Sequence, residues 1–172
     1  MPKVEAALVL SGDKGRSRVN LPADRDVLQR AINQVTDDDS AEVEDTSIDP
    51  DGLEEELRSG DAADLHAFNE LLQRLQGLPL SDAELAAVVD GCLDQYEPLS
   101  DVLPDLEARR YYVWTECCGI EGLARAVLED KGLWEKVPED LRAYVDLEQY
   151  AEDLLNNGRF FEGDAFFIQI LS

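Results

Sequence analysis

Along the first 48 residues the spacing of apolar positions changes twice, and each change predicts a different element. Val4 to Leu10 is an apolar run of strand length, closed by the turn cluster Ser11-Gly12-Asp13-Lys14-Gly15. Arg18-Val19-Asn20-Leu21 alternates with period two, as a half-exposed strand does. Val27, Leu28, Ala31, Ile32 and Val35 then recur at helical spacing, with Asp24 placed to cap that helix. Beyond the loop Asp37-Asp38-Asp39, Ala41 to Ile48 predicts a third short strand. One small sheet with one helix results.

The next segment reads as helical. Asp49-Pro50-Asp51-Gly52 is a turn, and Leu53 to Arg58 a short helix. Leu65, Phe68, Leu71, Leu72 and Leu75 form one apolar stripe, ended by Gly77 and Pro79. Ser81-Asp82-Ala83-Glu84 fits a capping box, in which Ser and Glu satisfy free backbone donors reciprocally. Leu85, Val88, Val89, Cys92 and Leu93 continue that helix's apolar face.

Strand character returns at Tyr111-Tyr112-Val113-Trp114. A helix over Ile120 to Glu129 follows, then one capped by Asp146 that carries Leu147, Tyr150, Ala151, Leu154 and Leu155, with Gly158 at its end. Arg159-Phe160-Phe161, the turn Glu162-Gly163-Asp164 and Ala165 to Leu171 predict a closing hairpin. The class expected is α+β: an elongated chain of three subdomains, 1–50 (α+β), 51–108 (acidic and helical) and 109–172 (α+β with a three-stranded antiparallel sheet).

Charge changes the picture. The 172 residues carry 15 Lys and Arg against 39 Asp and Glu, a net of −24. Residues 1–30 are slightly basic, with six bases against four acids; residues 31–108 hold two bases against 22 acids. Packed carboxylates repel one another and work against the compact state, so fold stability does not explain the excess. A nucleic-acid binder carries a basic patch, and an anionic membrane repels a chain of this sign. No stretch approaches the roughly 20 apolar residues of a membrane span, and the start does not read as a signal peptide. Three cysteines, two of them adjacent, make a poor disulfide framework and predict a reducing cytosol.

Catalytic chemistry finds little footing. Aligning Gly52 with the invariant glycine of a calcium-binding EF-hand loop puts Arg58 where the bidentate Glu belongs. Paired Cys-x-x-Cys spacings are absent, as are phosphate-cradling glycine motifs. The single His66 sits in a helical stripe, without a Gly-x-Ser-x-Gly nucleophile elbow. Cys117 and Cys118 read as structural. Neither enzyme, metal nor cofactor is expected.

The acids themselves are the candidate chemistry. Duplex DNA carries one charge per ~1.7 Å of axis, so 24 charges correspond to roughly 40 Å, or about 12 base pairs. Acids three or four residues apart on a helix lie ~5–6 Å from each other, close to the spacing of successive phosphates. Three readings stand on composition: mimicry of a nucleic acid, adaptation to a salty habitat, or an acidic module or adapter that binds some other basic protein, in a halophile or elsewhere.

One stretch narrows them. Val137-Pro138-Glu139-Asp140-Leu141-Arg142-Ala143-Tyr144-Val145-Asp146-Leu147-Glu148-Gln149-Tyr150-Ala151-Glu152-Asp153-Leu154, with Asn157-Gly158-Arg159-Phe160-Phe161 and Phe166-Phe167-Ile168, resembles the C-terminal part of the ArdA antirestriction family. Its pattern there is a Pro-led short helix, an aromatic, an Asp-x-Glu-x-aromatic-Ala-x-Asp-Leu helix, then Gly and an aromatic strand. The likeness is specific over roughly the last 55 residues and one of layout before them; Ala6-Ala7-Leu8-Val9-Leu10 stands where relatives often have an aromatic-rich hairpin.

The resemblance implies a non-enzymatic homodimer, typically encoded on a mobile genetic element and acting in the cytoplasm. Its expected partner is the basic DNA-binding groove of a type I restriction-modification enzyme, with no direct binding to nucleic acid or membrane. Expected to stand in for phosphates are Asp37, Asp38, Asp39, Glu42, Glu44, Asp45, Asp51, Glu54, Glu55 and Glu56. The helical middle adds Asp61, Asp64, Glu70, Asp82, Glu84, Asp90, Asp94, Glu97, Asp101, Asp105 and Glu107, and the C-terminal segment Asp146, Glu148, Glu152 and Asp153. Tyr144, Tyr150, Phe160 and Phe161 are expected in the core or a dimer seam.

Overall fold

A computed structural model describes residues 1–171. The chain divides into two compact units, Met1–Val89 and Asp90–Ser172, each containing one three-stranded antiparallel sheet. The α+β class, the N-terminal sheet with its helix and the C-terminal three-stranded sheet are as expected.

In the first unit, β1 (Glu5–Gly12), β2 (Gly15–Leu21), α1 (Arg25–Val35) and β3 (Glu42–Asp49) follow in order, and the sheet runs β2-β1-β3. Leu8 stands opposite Val19 on one side and Thr46 on the other. Ala6, Leu8, Leu10, Val19, Leu21 and Ile48 are buried, and α1 packs on the sheet with Leu28, Ala31, Ile32 and Val35 buried. β1 is apolar at every position from Ala6 to Leu10 because Ala7 and Val9, on the other face, are also half-buried. Asp24 occupies the N-cap of α1, but its carboxylate makes no capping hydrogen bond. Its backbone carbonyl instead accepts from the N–H groups of Val27 and Leu28, which leaves the side chain in solvent.

The short helix expected over Leu53 to Arg58 is a 3₁₀ turn, Asp51–Glu56, started directly by Pro50 and anchored by the buried Leu53. α2 (Ala62–Gln76) buries Leu65, Phe68, Leu72 and Leu75, and with them Asn69. The Asn69 amide accepts from the Ala23 N–H and donates to the Ala23 carbonyl, both at 2.8 Å. α3 (Asp82–Asp94) opens on the predicted capping box: the Ser81 N–H donates to Glu84 at 2.7 Å, and the Glu84 N–H to Ser81 Oγ at 3.3 Å.

The second unit holds the end of α3, then α4 (Leu99–Glu107), β4 (Tyr111–Thr115), α5 (Gly119–Asp130), α6 (Leu147–Asn157), β5 (Arg159–Glu162) and β6 (Phe166–Ile170), with sheet order β4-β6-β5. One sheet face brings Phe160 and Phe167 to Leu123 and Val127 of α5, with Tyr150, Leu154 and Leu155 of α6 packed against them. On the other face Phe161 is fully buried, close against Gly91 of α3. Two guanidinium groups approach the ring of Trp134, Arg125 at 5.3 Å and Arg142 at 5.6 Å from its centre. Gly158 ends α6 in an extended rather than left-handed conformation, φ −135°. A Cβ there would stand 2.5 Å from the Phe160 ring, so space rather than turn geometry requires the glycine.

Three helices of this unit end in one hydrogen-bond motif. Tyr96, Arg109 and Gly132 each take a positive φ (53°, 55° and 61°), while the next residue's N–H reaches back to the carbonyl five residues earlier. This is the Schellman cap, whose left-handed position favours glycine. No helix among the described residues is long and apolar enough to cross a membrane.

Candidate functional site

Each unit is equally acidic. Met1–Val89 holds 8 bases and 20 acids, and Asp90–Ser172 holds 7 and 19, so both carry a net of −12. What distinguishes one acid from another is whether the fold already uses it.

The first sheet turns an open face away from α1. Strand register sets Arg18, Val9 and Asp45 in one row across that face. Arg16, Ser11 and Glu42 form a second row, and Asn20, Ala7 and Ser47 a third. On this face Arg16 and Arg18 thus stand on the β2 edge, and Glu42 and Asp45 on the β3 edge. A register shift between Val9 and Leu10 leaves Glu44 as the extra residue of β3, and Arg16 Nε meets it at 2.7 Å.

Past β3 the chain keeps its acids outward. Asp51, Glu54 and Glu55 are exposed around the anchored Leu53, Glu56 is half-buried, and Thr46 donates to Glu54 at 3.1 Å. In the preceding loop Lys14 bridges Asp37. Asp38 accepts from the hydroxyls of Ser40 and Thr36, both at 2.5 Å. Those two bonds, Ser40's first, hold its carboxyl down at about 2. Gln29 donates to Asp39 at 3.1 Å.

Other acids have structural partners. Asp64 accepts from Ser59 at 2.5 Å, and Asp82 from the Lys3 N–H at 2.6 Å. Glu84 belongs to the capping box. Asp61 and Glu70 are exposed.

In the second unit two candidates are drawn inward. Asp105, only 9% exposed, lies 2.6 Å from Arg110 and 3.9 Å from Arg159. Glu97, half-buried, pairs with Arg159 at 2.7 Å. Asp90, Asp94, Asp101 and Glu107 are exposed along α3 and α4. On α6, Asp146 caps the helix by accepting from the Gln149 N–H at 3.0 Å. Glu148, Glu152 and Asp153 face solvent while Ala151 is buried. Glu148 and Glu152 stand one turn apart, ~6 Å, as successive phosphates do.

Phe160 and Phe161 are buried and Tyr150 packs against the core, whereas Tyr144 is 83% exposed. Glu121, Glu135, Glu139, Asp140, Glu162 and Asp164 are exposed as well and were not singled out by sequence pattern, since nothing in their spacing separates them from the other acids. His66 pairs with Gln29 at 2.8 Å. Among the described residues no His, Cys, Asp and Glu are grouped to hold a metal.

No individual curated protein is a match to this sequence. The family model for the antirestriction protein ArdA matches residues 12–168, a span that runs from the last residue of β1 into β6 and takes in the strands and helices between them. The chain therefore belongs to the ArdA family of antirestriction proteins.

Proposed function

We propose that this chain inhibits type I restriction-modification enzymes by occupying their DNA-binding groove with carboxylates in place of phosphates. It acts without turnover or cofactor, as a homodimer in the cytoplasm of the cell receiving foreign DNA. Family membership supports antirestriction as the role. The mechanism is supported by one observation above all: exposed acids remain on both units after the fold's own pairings are met.

The physics is competition for one cationic surface. Duplex DNA binds a basic groove largely through phosphate charge. A folded anion with its carboxylates fixed at ~5–6 Å intervals meets the same Lys and Arg side chains without having to order itself first. Glu42, Asp45, Asp51, Glu54 and Glu55 of the first unit, and Glu148, Glu152 and Asp153 of the second, are the strongest contributors. Glu97 and Asp105 hold the fold instead.

The test is a restriction assay with a purified type I enzyme and unmodified DNA. Reversing Glu148, Glu152 and Asp153 together to Lys abolishes protection while circular dichroism stays that of the parent. Protection undiminished by that block, and by its counterpart at Asp51, Glu54 and Glu55, overturns the carboxylate mechanism. Folding that persists at low ionic strength removes the competing reading of a halophilic adapter.

A further inference from the structure

We infer that Tyr96 is a contact residue for the restriction enzyme: an aromatic anchor, offered at the end of α3, onto which a Lys or Arg of the basic surface stacks. The inference rests on the partner proposed above and adds a component of recognition that the carboxylates do not supply.

Tyr96 is 96% exposed, so its ring gains nothing from packing within its own unit. It also occupies the left-handed position of a Schellman cap, at φ 53°. There a side chain is crowded against the following carbonyl, and a bulky one is rarer still. α5 ends in the same motif with Gly132, the residue that geometry favours. A tyrosine at this site costs conformational energy and returns none to the fold. Arg109 takes the same position at the end of α4, but Tyr96 is the one of the two that places an aromatic ring in solvent, where a partner can use it.

The ring is held ready for a partner. On one side of it, Gln95 Nε2 donates to the Phe160 carbonyl at 2.9 Å. On the other, Glu97 is bridged to Arg159 at 2.7 Å. Both neighbours of Tyr96 are thus pinned to β5, and a turn fixed in advance loses little freedom on binding. Asp90 and Asp94 on the same helix, and Asp101 in the first turn of α4, are exposed acids close by in the chain. A cation drawn toward those carboxylates meets an aromatic face, and tyrosine is among the residues enriched at binding hot spots.

Tyr96→Gly and Tyr96→Phe in the full chain, titrated against a purified type I restriction-modification enzyme at several salt concentrations, decide the matter, with thermal unfolding measured alongside. Tyr96→Gly is expected to weaken binding about tenfold at every salt concentration without changing the salt slope, and to leave Tm equal or higher. Tyr96→Phe, which keeps the ring, stays within about twofold of the parent. If the parent's affinity falls with salt and Tyr96→Gly binds as tightly, the anchor fails and the carboxylate reading stands. If the parent's affinity is insensitive to salt, the carboxylate reading fails, and the anchor then stands or falls on the loss at Tyr96→Gly alone. A lower Tm for Tyr96→Gly overturns the anchor too, because the ring would then be serving the fold.

Discussion

The guanidinium of Arg159 lies 2.7 Å from the carboxylate of Glu97, with one-third of the arginine side chain and 16% of the glutamate exposed. Arg159 also approaches Asp105, which Arg110 holds from the other side. Removing the arginine takes the ion-pair partner from the poorly solvated Glu97 and leaves Asp105 to Arg110 alone. Because Arg159 is partly in solvent, Arg159→Ala costs about 2 kcal/mol, below the range for a fully buried pair. A urea titration followed by circular dichroism reads this as a lower midpoint.

The carboxyl of Asp38 is driven down to about 2 by the hydroxyls of Ser40 and Thr36. A depressed folded pKa means that its contribution to stability is complete above the ordinary value of 3.8 and is lost as pH falls toward 2. Ser40→Ala removes the largest cause. A carboxyl-carbon NMR titration then shows the Asp38 midpoint moving upward, toward the usual carboxylate range. An unmoved midpoint would mean that Ser40 is not the cause.

Gly91 faces Phe161 so closely that a Cβ would fall 2.5 Å from the ring. Phe161 is fully buried and has little room to retreat. Gly91→Ala therefore destabilises by about 1–3 kcal/mol despite the gain in helix propensity, through overpacking. At Ala67, an exposed position inside α2, Ala67→Gly provides the contrast: it costs about 1 kcal/mol through helix propensity alone.

Cys117 and Cys118 differ sharply in exposure. Burial pushes the Cys117 thiol up, and the neighbouring Cys118 adds to that, so little reactive thiolate forms there. Titrating the native protein with a thiol-specific disulfide reagent gives one fast equivalent per chain, removed by Cys118→Ser. The remaining two react only on unfolding.

Local signals were legible and distant ones were not. The capping box at Ser81 and Glu84, the Asp146 cap and the α6 stripe depend on neighbours within a few residues, and pattern alone places them. α4 is the least legible of the middle helices, because Pro104 inside it reads as a breaker. The carboxylates look alike in sequence. Glu97 acquires its structural role through Arg159, which lies in a different element far along the chain, and Asp105 through Arg110, past the end of its own helix. Tyr96 has no sequence signal for a similar reason: its exposure and left-handed backbone follow from how the end of α3 folds.

Trp134, approached by Arg125 and Arg142, and Trp114 on β4 are the chain's two indoles, and both fall in Asp90–Ser172. Their emission is consequently a private optical channel for one half of the molecule. Melting of Met1–Val89 is dark in that channel and visible only in ellipticity, so a gap between the two midpoints would reveal halves that come apart in sequence rather than together.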